Sequence, residues 1–134
     1  MVDNDRREYQ RIKVDAMCQF LLANEGRDIC DFSGVIDNIS EQGIGIIIED
    51  SKWFEVVEKI DVGEELFFQA IDEYELYKSK VSEVILGKAR ILRKNVCDGK
   101  YVMGCKFTSN SKDLQEYVSK RKLALFWKNE MGIK

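Results

Sequence analysis

Apolar and polar residues alternate from the first well-patterned stretch of the chain. Ile12, Val14 and Ala16 fall on one side of an extended backbone and Lys13 and Asp15 on the other, so residues 12–23 read as a strand. Asn24-Glu25-Gly26-Arg27 reads as a turn. Looser alternation from Ile29 to Ile39 gives a second strand, and Ser40-Glu41-Gln42-Gly43 a tight turn. The β-branched run from Ile44 to Glu49 predicts a third strand buried on both faces. Residues 51–60 break this rhythm: Ser51 suits a helix cap, and Phe54, Val57 and Ile60 share one face of a short helix. Val62-Gly63-Glu64 is a turn before a fourth strand, Leu66 to Ile71. Residues 72–82 are charged and tyrosine-rich, follow neither period and receive no assignment. A strand centred on Ala89 to Leu92, an Asp-Gly hairpin turn at Cys97-Asp98-Gly99-Lys100 and a last strand from Tyr101 to Phe107 follow.

The tail changes period. Asn110 or Ser111 suits an N-cap, and Leu114, Tyr117, Val118, Arg121 and Leu125 repeat at helical spacing. Lys120, Arg121, Lys122 and Lys128 gather toward the C-terminal end, where the helix dipole favours cations. Short strands followed by one helix predict a mainly β fold: a small antiparallel, split β-barrel of about six strands with a C-terminal α-helix. The expected division is a flexible arm over 1–11, a barrel over 12–109, and a helix over 110–134 packed on the barrel.

Composition narrows the chemistry. The length of 134 residues fits one domain. There is no histidine, which removes Ser-His-Asp and Cys-His catalysis and every His-ligated metal site. Cys18, Cys30, Cys97 and Cys105 form no CxxC pair, and read as reduced, mostly buried thiols. No P-loop or GxGxxG is present, and adjacent acids such as Glu64 and Glu65 would point to opposite faces of a strand, so the expectation is a protein that is not an enzyme and needs no metal or cofactor. The longest compact apolar run, Ile44 to Ile48, is far short of a membrane span, and the polar start MVDNDRREYQ is unlike a secretory signal; a cytoplasmic protein, not embedded in a membrane, is expected.

A net charge of −3 argues against a DNA- or RNA-polymer binder. The charge is uneven: 13 acids face only Lys52 and Lys59 between Asp28 and Glu73, whereas Arg6, Arg7, Arg11 and Lys13 crowd the start. An acidic chain with a local arginine cluster points to a discrete anionic ligand.

Two patterns carry candidate chemistry. Arg7-Glu8-Tyr9-Gln10-Arg11 places two guanidiniums four residues apart, able to fork onto a phosphate or a guanine edge and to stack on a base. Solvation of a surface is the ordinary role of such a pair. Asn38-Ile39-Ser40-Glu41-Gln42-Gly43 offers amide and hydroxyl groups for a base edge or phosphate, with Gly43 permitting close backbone approach. The alternative is a turn whose Asn and Ser bond their own backbone.

In this order the two patterns resemble the signature of the PilZ domain family, bacterial receptors for the second messenger cyclic di-GMP: RxxxR on an N-terminal arm, then [DN]xSxxG about one hairpin later. Ile44-Gly45-Ile46, Val62-Gly63-Glu64-Glu65-Leu66, Ala89-Arg90-Ile91 and Gly104-Cys105-Lys106-Phe107 resemble later strands of the family, so the likeness spans roughly residues 5–110. The segments at 51–60 and 72–82 depart from it, and Asn38 stands where Asp is commoner. The resemblance implies that Arg7 and Arg11 hold phosphates or guanines and that Asn38, Ser40 and Gly43 form the opposite wall. It further implies that Arg6, just before RxxxR, favours two intercalated ligand molecules over one. Ligand binding would then clamp the arm and signal to a protein partner. A repurposed PilZ-like domain acting as a protein-interaction adaptor without nucleotide is the rival, and a small flavin-binding catalytic barrel a more distant one.

Trp53, Phe54, Phe67, Phe68, Phe107, Phe126 and Trp127 read as core or helix-packing residues rather than a base-stacking platform. Tyr74 and Tyr77 read as part of a solvated hairpin, with a partner surface as the alternative. Phe126 and Trp127 suit equally an anchor of the helix on the barrel and a homodimer contact through it.

Overall fold

The computed structural model describes residues 11–22, 30–109 and 111–130, and in these the side chains of Cys30, Asn129 and Glu130 are left aside. Six strands form a closed antiparallel barrel in the order β1-β2-β3-β6-β5-β4. They are β1 (Ile12–Leu22), β2 (Cys30–Ile39), β3 (Gly43–Ile48), β4 (Glu65–Leu76), β5 (Ser79–Cys97) and β6 (Lys100–Phe107). A 3-10 turn (Ser51–Trp53) leads into a short helix, α1 (Phe54–Glu58), and the chain ends in α2 (Lys112–Glu130). The turn expected at 24–27 and most of the arm expected at 1–11, with Arg6 and Arg7, lie outside the described residues.

Strand alternation sets the interior. Every second residue of β1, from Ile12 to Leu22, is buried, as period-2 patterning requires of a wall with one wet face. Phe20 stacks on Phe32 at 5.1 Å between ring centroids, and Ile36, Ile46, Ile48, Leu66, Ile91 and Met103 complete the core. β3 is buried on both faces but for half-buried Ile47, as its apolar run predicts.

α1 and the residues just after it close one end of the barrel by burying Val57 and Ile60. The last carbonyls of this segment would otherwise be orphaned. Lys94 of β5 donates to three oxygens there, those of Val57 (3.0 Å), Glu58 (3.1 Å) and Ile60 (2.5 Å).

The segment 72–82 is the largest gain over the sequence reading. It continues β4 and β5 into a hairpin that turns at Tyr77 and Lys78, with φ of 54° and 69°. Two-residue hairpin turns need this left-handed backbone, usually supplied by Asn or Gly. Here two residues without that preference supply it, so no turn signal was visible. Tyr74 is buried under α2 rather than solvated, because its ring packs edge-on against Tyr117 at 6.3 Å. Two aromatic assignments to the interior are also overturned. Phe67 lies on the outer face of β4, and Phe126 on the open face of α2, where it is 55% exposed.

α2 begins where Ser111 Oγ accepts the Leu114 N–H at 3.1 Å, and buries Leu114, Tyr117, Val118 and Ala124. A polar clamp reinforces that face. Asp72, buried, accepts from Tyr117 Oη at 2.6 Å and pairs with Arg121 Nε at 3.1 Å. The Arg121 guanidinium also stands 4.7 Å from the Tyr74 ring centroid. Among the described residues, no helix is long and apolar enough to cross a membrane.

Candidate functional site

Two ladder irregularities lie close together in the wall. The β1–β2 register shifts between Lys13 and Ala16, and the β2–β3 register between Ile36 and Asn38. A bulge re-aims the side chains beside it. Here it frees Asp37, which pairs with Lys13, and sets Asn38 opposite Gly45. Arg11, one residue before β1, donates through Nη1 to Asn38 Oδ1 at 2.6 Å, and Asn38 Nδ2 donates to Asp37 Oδ2 at 3.1 Å. Burial opposes ionisation of Asp37, but the Lys13 ammonium and the Asn38 amide outweigh it and hold the carboxyl below its usual range.

The row through Asn38 continues across the barrel. Asn38 pairs with Gly45, Gly45 with Gly104, and Gly104 with Arg93 at a third irregularity, in the β5–β6 ladder. The two glycines are a requirement of this row. A Cβ on Gly45 would sit 2.6 Å from Asn38 Nδ2, and one on Gly104 2.9 Å from Arg93 Cζ. Bare backbone therefore gives the two polar side chains a floor to lie on. The result is a recess of about 70 Å³ lined by Arg11, Asn38, Gly45, Ile47, Arg93 and Val102, among others. It holds a functional-group edge and not a nucleotide-sized ligand, which needs several hundred Å³. Beneath it, burial pushes the Cys105 thiol up to about 12 despite the nearby positive charges of Arg93 and Arg11.

The structure thus brings Arg11 and Asn38 together. Ser40 and Gly43 do not line the recess. Ser40 is buried in the β2–β3 turn, where its Oγ accepts the Gln42 N–H at 3.2 Å, the turn-forming role that was the alternative reading. Gly43 is demanded by packing: a Cβ there would fall 2.0 Å from the Cys105 carbonyl oxygen. Arg6 and Arg7 are outside the described residues. Sequence reasoning missed Arg93, Gly45 and Gly104. Their one local signal was a glycine inside each of two strand patterns, which often marks close approach of another group.

Helix α2 touches both sides of this region. Gln115 Nε2 donates to the Glu41 carbonyl at 3.1 Å, and Lys122 pairs with the Glu41 carboxylate, both in the turn that carries Ser40. Arg121 Nη2 donates to the Lys13 carbonyl at 3.2 Å, two residues beyond Arg11.

A family model described as PilZ domain matches residues 5–120. A search of curated protein sequences gives no match. Among solved structures, the PilZ domain of YcgR from Escherichia coli with c-di-GMP superposes with a TM-score of 0.61 at 16% identity, covering 97% of this chain and 100% of that one. The Bacillus subtilis inhibitor of motility (MotI/DgrA) gives 0.62 at 17% identity, over 97% of this chain and 53% of that one. The K. pneumonia MrkH–c-di-GMP complex gives 0.62 at 13% identity, over 96% and 55%. The chain spans about half the length of the latter two.

Proposed function

The chain belongs to the PilZ domain family, and from that premise we propose that it is a non-enzymatic, cytoplasmic receptor for cyclic di-GMP. The observation that carries the reading is the row Asn38–Gly45–Gly104–Arg93 with Arg11 bonded to Asn38. It sets two guanidiniums and an amide around a flat backbone floor. Guanidiniums fork onto phosphate oxygens or guanine O6 and N7, and stack on a base plane. Arg7 and Arg11 take these roles, Asn38 bonds the opposite side of the ligand, and Ser40 and Gly43 shape the turn beside it. Because the recess admits only an edge, the rest of the ligand lies over the outer wall and is closed in by the arm. Arg6 then favours two intercalated molecules. Closure moves Arg11, and α2, bonded at Lys13 and Glu41, carries the change to a protein partner. A homodimer through the C-terminal helix at Phe126 and Trp127 is a further contact, and the exposure of Phe126 keeps it sterically open.

Ser40 favours the adaptor reading to one extent: its hydroxyl is already engaged in its own turn. Calorimetric titration with cyclic di-GMP separates the two. Saturable binding is expected, with two ligands per chain and a fall toward one in Arg6→Ala. Arg11→Ala and Asn38→Ala should each weaken binding about tenfold or more, the scale of a charge-assisted hydrogen bond. No binding by the parent chain would leave the adaptor; unchanged affinity in both variants would move the site elsewhere.

A further inference from the structure

β5 has a strand partner on both sides only at Ala89 and Arg90. Its residues 79–90 pair with β4, and its residues 89–97 with β6. Among the described residues, none forms a ladder with Ser79–Gly87 on the side away from β4. Two independent observations fix which groups face that open side. The Lys88 carbonyl accepts the Thr108 N–H at 3.0 Å, so Lys88 points away from β4. At the other end, Leu76 and Ser79 close a two-residue turn, so Ser79 points toward β4. Alternation then gives one answer from both ends: Lys80, Ser82, Val84 and Leu86 hold their N–H and C=O groups away from β4, with no backbone partner among the described residues.

This edge is bordered by α2. A groove of about 460 Å³ runs between Glu83–Leu86 and the helix residues Ser111, Asp113, Leu114, Glu116, Tyr117 and Lys120. The lengths agree: four strand residues span about 13 Å, and the helix from 111 to 120 about 14 Å. Val84 and Leu86 are 61% and 62% exposed at its lip. Lys120 is engaged with Glu83 at 3.4 Å, which leaves Asp113 and Glu116 as the uncompensated charges of the wall.

We propose that this groove binds an extended, basic segment of a partner protein, which adds to the barrel wall as a strand beside β5. Unpaired alternate amides select an extended backbone, since only a strand can answer their spacing. The two free carboxylates select lysine or arginine at positions facing α2. They also disfavour a second copy of this chain, whose own β5 edge would bring the same acids into contact.

The probe is a capped hexapeptide of alternating valine and lysine, followed by fluorescence polarisation and by amide hydrogen exchange. Binding should protect the N–H groups of Ser82, Val84 and Leu86 while leaving Val81, Glu83 and Ile85, already bonded to β4, unchanged. N-methylation of alternate peptide nitrogens, and lysine-to-glutamate exchange in the peptide, should each weaken binding tenfold or more. Val84→Pro removes an N–H that no β4 group uses, so it should fold and lose the peptide; Glu116→Lys should weaken it about tenfold. Absence of protection at about 1 mM peptide, or binding indifferent to N-methylation, overturns the proposal. So does protection of the same amides by protein concentration alone, which would assign the edge to self-association.

Discussion

The two halves of β5 make opposite uses of one strand. From Ala89 to Cys97 the edge facing β6 is closed by a continuous ladder, and side chains, Arg93 above all, line the recess there. From Ser79 to Gly87 that same edge has no ladder partner among the described residues, and the backbone itself is the unpaired group. The closed half needs bare backbone in the wall beside it, Gly104 on β6 and Gly45 on β3 beyond. The open half needs a helix for support, because a projecting two-stranded hairpin is marginal in water on its own. A binding surface can therefore be built in a barrel wall either by withholding side chains or by withholding a strand.

Removing the helix clamp should separate the halves most. Arg121→Ala leaves Asp72 buried with only Tyr117 as partner and strips the cation from Tyr74. A loss of about 3 kcal/mol is expected, as for a broken buried pair. Chemical denaturation measures the total. Amide exchange should show Ser79–Ser82 opening first and Ala89–Asn95 retaining protection; uniform loss would mean the hairpin and barrel are one cooperative unit.

The next test strikes the closed side. Gly43→Ala forces a methyl against the Cys105 carbonyl and should cost about 2 kcal/mol through overpacking, read as a lower denaturation midpoint. An unchanged midpoint would mean that β3 and β6 can part without penalty. Smaller again is Arg93→Ala. It should leave the fold intact and weaken cyclic di-GMP about tenfold, equivalent to about 1.4 kcal/mol. Affinity equal to that of the parent chain would remove Arg93 from the site.

The smallest effect appears only in alkali. Burial, then hydrogen bonding to Asp72 and Glu83 respectively, raises Tyr117 and Tyr74 above their ordinary value of 10.0. Both stay neutral in the fold, so their contribution is complete below pH 10 and declines as pH rises beyond it. Phenolate absorbance of Tyr74 and Tyr117 should lag that of free tyrosine and rise together with loss of α2 helicity. Titration of Tyr74 and Tyr117 in step with the free side chain would refute the clamp.

Legibility in the sequence followed locality. β1 announced itself because Ile12 to Ala16 alternate apolar and polar, a period that burial keeps to Leu22, and the Asp98-Gly99 turn because both residues adopt positive φ. The hairpin at Tyr77-Lys78 was silent because tertiary packing on Trp127, 4.9 Å away, supports it in place of turn chemistry. In the site, Arg11 and Asn38 were found through a motif. Arg93 sits in a polar run, Arg93-Lys94-Asn95, with no motif to single it out. Only the cross-strand register, a non-local property, lays it beside Gly104.

Lys94 follows Arg93 in that register and reaches the opposite way, gathering the three carbonyls at the end of α1. The stopper at the foot of the barrel is thus moored by one ammonium, carried by the residue next door to the arginine of the recess. Cutting that mooring, as in Lys94→Met, should let iodide reach Trp53 more readily while the ring of strands stays shut. The molecule would then be uncorked from below with its seams intact.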